Sequence, residues 1–228
     1  MSAFDWMAED EFGGDHCLVP GGYSQIISIL QNGLDILYDS SVQRISIEKE
    51  NNNNGRKTVS IYTSNGIVKA KKVVVTVSIG VLKSGHLRFD PPLPSRKLAS
   101  LDKLTMSRFN KIILRFNTKF WNDSCPGFIL ENEANLHSKK LFLFDTISHF
   151  SSEPVLVGEF VFDSFASEED VVANALSQLK EMFGEENVGV PEKVHVTNWS
   201  ADPFALGSYT AMPIGPHHHY LSVKPFLI

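Results

Sequence analysis

Cysteine is scarce in this chain: Cys17 and Cys125 are the only two in 228 residues. Their separation fits neither a C-x-x-C pair nor an even disulfide framework, so both read as buried or incidental thiols of a reducing compartment. No apolar run approaches the roughly 18 residues that a membrane-spanning helix needs. The opening MSAFDWMAEDEF is acidic where a secretory signal would be basic and then apolar. Basic blocks are missing as well. Lys and Arg number 21 against 26 Asp and Glu, for a net charge of −5. No cluster is dense enough to grip a phosphate backbone, which argues against nucleic acid as a partner and leaves a cationic substrate open. An intracellular protein is expected, in the cytoplasm first. Peroxisome and nucleus stay open, although no peroxisomal tripeptide closes the chain.

The familiar catalytic signatures are absent too. There is no G-x-G-x-x-G, phosphate loop, H-E-x-x-H, C-x-x-C or G-x-S-x-G. The triplet His217-His218-His219 reads as solvated tail, because adjacent side chains cannot all face one metal ion with fixed geometry. What the chain does have is apolar mass: 43% hydrophobic and 11% aromatic residues, enough for a substantial core in one large or two modest domains.

Pro20-Gly21-Gly22 opens a helix with Ile26, Ile27 and Leu30 on one side and Gly33 at its end, and a short strand is expected over Ile36 to Tyr38. SVQRISIEKE and TVSIYTS form a hairpin around the polar turn of Asn51 to Asn54 and Gly55. After a turn at Ser64-Asn65-Gly66, the unbroken apolar run Val73 to Val77 predicts a strand covered on both faces, hence a sheet within an α/β layer. Pro91-Pro92-Leu93-Pro94 is stiff and extended, and a domain crossover is placed near it. A helix from Ser95, with Leu98, Leu101 and Leu104 in phase, leads into the strand KIILRF. LFLFDTI and PVLVGEFVF are two further strands. The last helix is capped by Ser167 with Asp170 in its first turn, buries Val172, Leu176 and Leu179, and stops at Gly184.

Four segments in order, GGDHCLVPGGYSQIISILQNGLDI, SSVQRISI, VVVTVSIGVLKSGHLRFDPPLPSRK with FNKIILRFNTKFW, and NWSADPFALGSYTAMPIG, resemble the flavin-dependent amine oxidases. Within that family they look most like the polyamine oxidases and the lysine-specific histone demethylases. The resemblance implies a mixed α/β to α+β fold. Residues 1–82 would be a partial FAD-binding domain, residues 83–197 an amine substrate domain of mixed sheet flanked by helices, and residues 198–228 the start of the return to the FAD domain. The Gly-rich turn and the closing acidic segment that grip FAD in that family are not found here, so the chain resembles the family's middle portion.

The same resemblance assigns roles. Val42 matches a position whose backbone meets the adenine ring; read alone it is an inward strand residue. Thr76 and Ser78, in Thr-Val-Ser-Ile-Gly-Val-Leu, match the strand end that returns toward the flavin, and some polyamine oxidases share this Ser-Ile-Gly-Val-Leu. Lys111 matches the lysine that holds a water near flavin N5; read alone it is a surface lysine with a snorkelling stem. Trp199 matches an indole beside the flavin, and Tyr209 one wall of an aromatic cage that suits amines. Ser208 stands where monoamine oxidases carry the cysteine that attaches FAD covalently, so FAD is expected to be held non-covalently. Read alone, Asn198 to Tyr209 is an aromatic turn.

The activity implied is FAD-dependent oxidation of polyamines such as spermine or spermidine to an aldehyde and a smaller amine, with oxygen consumed and hydrogen peroxide released. The other reading is a non-catalytic fragment that cannot retain FAD and at most binds a partner. A histone-lysine demethylase is the weakest expectation, because nothing in the chain resembles that branch's helical insertion.

Overall fold

The computed structural model describes residues 19–49, 57–130, 142–148, 150–161, 165–211 and 226–227. Cys17, the four-Asn turn and the histidine triplet lie outside the described residues. Two compact units make up the chain. One is Met1–Met106 with Pro203–Leu206 and Thr210–Ile228; the other is Ser107–Asp202 with Gly207–Tyr209.

The first unit is built on strands β1 (Val42–Lys49), β2 (Lys57–Thr63), β3 (Gly66–Ala70) and, beyond the two-residue β4 (Val74–Val75) and helix α2 (Ile79–Ser84), β5 (Arg88–Asp90). They form one sheet in the order β3-β2-β1-β5. The expected hairpin is there, in register Ile45↔Ile61 and Ile47↔Val59, and β5 joins parallel to β1 through Ile45↔Phe89. A parallel partner needs a crossover, and the segment carrying α2 supplies it. Ile45, Val59, Val81 and Leu87 make the small core.

Helix α3 (Ser95–Asp102) also belongs to this unit. Its Leu101 and the following Leu104 are buried, and the Lys83 ammonium donates to the Leu104 carbonyl at 2.6 Å. The opening stretch of the first unit therefore runs through α3 to Met106, past residue 82 and the proline segment.

Helix α1 (Ser24–Leu30) forms as expected, and its Ile26, Ile27 and Leu30 are exposed. Only seven residues long and with no side-chain cap at Tyr23, it is marginal on its own terms. Ile36 to Tyr38 is not a strand. Of Val73 to Val77 only Val74 and Val75 pair, with Leu227 and Phe226 of β13 (Phe226–Leu227), and Val74 and Val77 are exposed. A continuous apolar run cannot by itself say where its cover comes from.

The second unit is a five-stranded antiparallel sheet in the order β11-β7-β10-β9-β8. Its strands are β7 (Phe109–Arg115), β8 (Gly127–Ile129), β9 (Leu143–Thr146), β10 (Val155–Val161) and β11 (Lys193–Val196). Alternation sends Ile112, Leu114, Leu156, Phe160 and Phe144 into the core with Val171, Ala175 and Leu179 of helix α4 (Glu168–Phe183). Gly158 permits this closeness, since a Cβ there would lie 2.8 Å from Ile112 Cγ2 and 2.9 Å from the Phe144 ring. Ser167 caps α4 as expected, its hydroxyl accepting from Asp170 N at 3.2 Å, and Gly184 follows at φ 91°. Leu179 is buried as expected, while Val172 and Leu176 are only partly buried against the core and Val171 and Ala175 take the fully buried places.

The other short strands, β6 (Thr105–Met106) and β12 (Thr210–Ala211), pair with each other in the first unit. Among the described residues no helix is long and apolar enough to cross a membrane, and no three His, Cys, Asp or Glu gather as a metal site.

Candidate amine-facing site

The second residue of β7 organises this site. Asn110 occupies an inward position, in phase with Ile112 and Leu114, and is completely buried. A buried amide must have its donors and acceptors met. Its Oδ1 accepts from Thr197 Oγ1 and from Trp199 N, both at 3.1 Å, and its Nδ2 donates to the Arg108 carbonyl at 3.1 Å. Thr197 Oγ1 in turn accepts from Lys111 N at 2.8 Å, and Thr197 N donates to the Lys111 carbonyl at 2.9 Å. One side chain thus ties the start of β7 to the chain leaving β11.

The Gly207–Tyr209 segment is tied to the same place. Ser208 Oγ donates to the Ser107 carbonyl at 2.9 Å and accepts from Phe109 N at 3.0 Å. Ser208 N donates to the Ser107 carbonyl and Ser107 N to the Tyr209 carbonyl, both at 2.8 Å, while Gly207 N donates to the Trp199 carbonyl at 2.9 Å. The Tyr209 ring lies 6.2 Å from that of Phe109. Trp199 and Tyr209 nevertheless remain 45% and 48% exposed. The backbone is pinned and the aromatic faces are left open.

Lys111 points to the sheet face opposite the core. Its Nζ pairs with Glu159 Oε1 at 2.9 Å, with side chains 48% and 22% exposed respectively. Asp145 lies on the same face. Partial burial pushes its carboxyl above the ordinary value, Glu159 adds to the rise, and Lys111 opposes it.

The structure therefore ties the backbone of Lys111, Trp199, Ser208 and Tyr209 into one hydrogen-bonded network within the second unit, while the Lys111 ammonium pairs with Glu159. Val42, Thr76 and Ser78 belong to the first. Val42 opens β1 beside a register irregularity and is exposed, unlike the inward strand residue of the simpler reading. Thr76 is exposed between β4 and α2. Ser78 caps α2, accepting from Val81 N at 3.1 Å and donating to the Ala205 carbonyl at 2.5 Å. Gly80 allows that approach, for a Cβ there would lie 2.8 Å from the Ala205 oxygen. Leu206 completes the contact in a left-handed conformation, φ 51°, which is strained for a branched residue and offset by packing on the Ile45–Val81 core.

Asn110, Thr197, Glu159 and Asp145 contact the candidate residues, and motif and resemblance alone do not mark them. A polar residue on the inward phase of an apolar strand is the available signal for Asn110. The other three depend on cross-strand register, which no local pattern carries.

A family model described as flavin containing amine oxidoreductase matches residues 2–224. The chain belongs to this family. "Lysine-specific histone demethylase 1 homolog 2" of Arabidopsis thaliana is 33% identical over 94% of the chain and 29% of its own length. "Lysine-specific histone demethylase 1 homolog 3" of the same plant is 34% identical over 90% of the chain and 13% of its own. The chain thus spans less than a third of these curated relatives. Among solved structures, putrescine oxidase bound to putrescine matches with TM-score 0.66 at 17% identity, over 84% of this chain and 42% of that one. Cyclohexylamine oxidase from Brevibacterium oxydans IH-35A matches with TM-score 0.64 at 20% identity, over 85% and 42%. These two show the shared mixed α/β fold.

Membership in a flavin-containing family implies a flavin, and the amine oxidoreductase residues in the second unit fit one. Two large aromatic side chains are held open on a fixed backbone, as a planar ring system requires, and the backbone of Lys111 is tied to the same strand start through Thr197. The Ser208 hydroxyl is fully engaged with Ser107 and Phe109.

Proposed function

We propose that this chain carries the amine-facing part of an FAD-dependent oxidase of N-alkylated amines, with oxygen as the final electron acceptor. The observation that carries this reading is that the start of β7 anchors the backbone at Lys111 and Trp199 through Asn110 and Thr197, and at Tyr209 through Ser107, within one unit. FAD, when bound, accepts a hydride equivalent from the carbon beside nitrogen and delivers the two electrons to oxygen, giving hydrogen peroxide. The chain's own residues orient the amine. The faces of Tyr209 and Trp199 attract an ammonium on approach and offer an apolar slot to the neutral amine that is oxidised. Lys111, whose Nζ pairs with Glu159, would hold a water and a proton beside the flavin when it is bound. Water then adds to the imine carbon, and the product separates into an aldehyde and a smaller amine. No side-chain nucleophile is required, which accounts for the lack of any triad.

Two amines fit this chemistry. A methylated lysine side chain is favoured by relatives named as lysine-specific histone demethylases, whose similarity runs over nine-tenths of the chain. That similarity raises the demethylase reading from the weakest expectation to the first. A polyamine is favoured by the stretch Ser78-Ile79-Gly80-Val81-Leu82, shared with some polyamine oxidases. The deciding experiment mixes the purified chain with FAD, removes unbound flavin, and follows loss of flavin absorbance without oxygen on adding spermine or a dimethyl-lysine peptide. Retained flavin that is bleached by one amine supports the proposal and names the substrate. A colourless protein overturns it and leaves the non-catalytic, partner-binding reading.

A further inference from the structure

The residue facing Lys111 has no assigned part in this chemistry. Lys111 on β7 and Glu159 on β10 are direct antiparallel partners, on the sheet face away from the core, with Nζ and Oε1 2.9 Å apart. A lysine carries its charge on a flexible four-carbon stem and by itself holds no single position. A carboxylate directly opposite, at charge-assisted hydrogen-bond distance, selects one. Most exposed ion pairs do little of this, because both partners stay solvated. Glu159 differs in being only 22% exposed and anchored at the middle strand of the five.

Among the described strand residues, the other charged groups on this face stand as follows. Arg115 is engaged by Glu153 at 3.0 Å and Glu192 at 3.5 Å. His195 and Lys193 stand opposite Ile113 and Arg115, further along β7 than Lys111. Asp145 stands opposite Val157, one rung from Glu159 in the alternating register, and feels both members of the pair.

We propose that Glu159 is a positioning residue that fixes the Lys111 ammonium for its part at the flavin, with Asp145 as a neighbouring carboxyl that reports on the pair. This rests on the role given to Lys111 above, and the test separates the two. In the flavin-free 228-residue chain, carbon NMR follows the order of the Lys111 side chain at Cε and the titration of Asp145 at Cγ. Glu159→Gln is expected to loosen Lys111 and to lower the Asp145 midpoint, because a negative neighbour has been removed. Lys111→Met is expected to raise that midpoint, and Glu159→Asp to restore part of the Lys111 order. In the FAD-loaded protein, Glu159→Gln is expected to slow amine-driven flavin reduction or its reoxidation roughly ten- to a hundredfold, the cost of a misplaced group. If Glu159→Gln leaves both NMR readouts at their native values, the positioning role is overturned whatever the kinetics. If both readouts move while Lys111→Met leaves flavin reduction and reoxidation unchanged, the positioning of Lys111 stands, and its part at the flavin fails.

Discussion

The second unit and the α1 region of the first bury their apolar residues very differently. In the second unit one sheet face and one helix enclose Ile112, Leu114, Phe142, Phe144, Leu156, Phe160, Val171 and Leu179 almost completely. From Tyr23 to Val42, by contrast, a comparable supply of Ile, Leu and Tyr stands open, with Ile29 74% exposed. The contrast separates two meanings of an apolar pattern. In one region it describes a core the chain closes by itself; in the other, a surface whose cover is not among the described residues.

Substitution sharpens that contrast. Phe144→Ala should cost about 3–5 kcal/mol of stability, the usual cost of emptying a packed aromatic site. Ile29→Ala should change stability by no more than about 0.5 kcal/mol. Urea denaturation followed by circular dichroism measures both, and equal costs would erase the distinction. Next in size, Asn110→Ala should cost about 2–3 kcal/mol, because Thr197 Oγ1 and Trp199 N lose their acceptor. Its specific sign is a change in Trp199 fluorescence, and an unaltered spectrum would remove Asn110 from the organisation of the site. Ser167→Ala should cost about 1 kcal/mol through the lost cap of α4, read as a lower urea midpoint.

The smallest effect concerns pH. Asp145 has a folded-state pKa raised above its unfolded value, chiefly by burial. The folded state therefore holds that proton more tightly. The associated stability is complete below the ordinary aspartate value and is lost as pH rises through the elevated folded one. Asp145→Asn should flatten this decline in the mildly acidic range, and an identical pH profile for both proteins would show that Asp145 contributes nothing to it.

The parts of the fold that were legible in the sequence are those governed by short-range rules. The β1–β2 hairpin, strands β7, β9 and β10, and the Ser167 and Gly184 ends of α4 follow from alternation, capping and turn chemistry. The failures share one cause. A strand at Ile36 and double cover for Val73 to Val77 rest on apolar content, yet each depends on what lies opposite in space. The site divides in the same way. Lys111, Trp199, Ser208 and Tyr209 are visible through family resemblance, and the anchoring of Trp199 to β7 rests on Asn110, which local patterns present as an oddity in a strand. Glu159 could be found only once register placed it across from Lys111.

The bonds around Asn110 also separate two kinds of change in the turn. Trp199 is held by the Asn110 amide, and Ser208 and Tyr209 by Ser107 and Phe109, so both ends of the turn are referenced to the start of β7. The exposed Ala201 between them carries none of these anchors. The turn is thus a socket with an exchangeable insert: the side chain at Ala201 can be altered without breaking the bonds that hold Trp199 and Tyr209 to the start of β7.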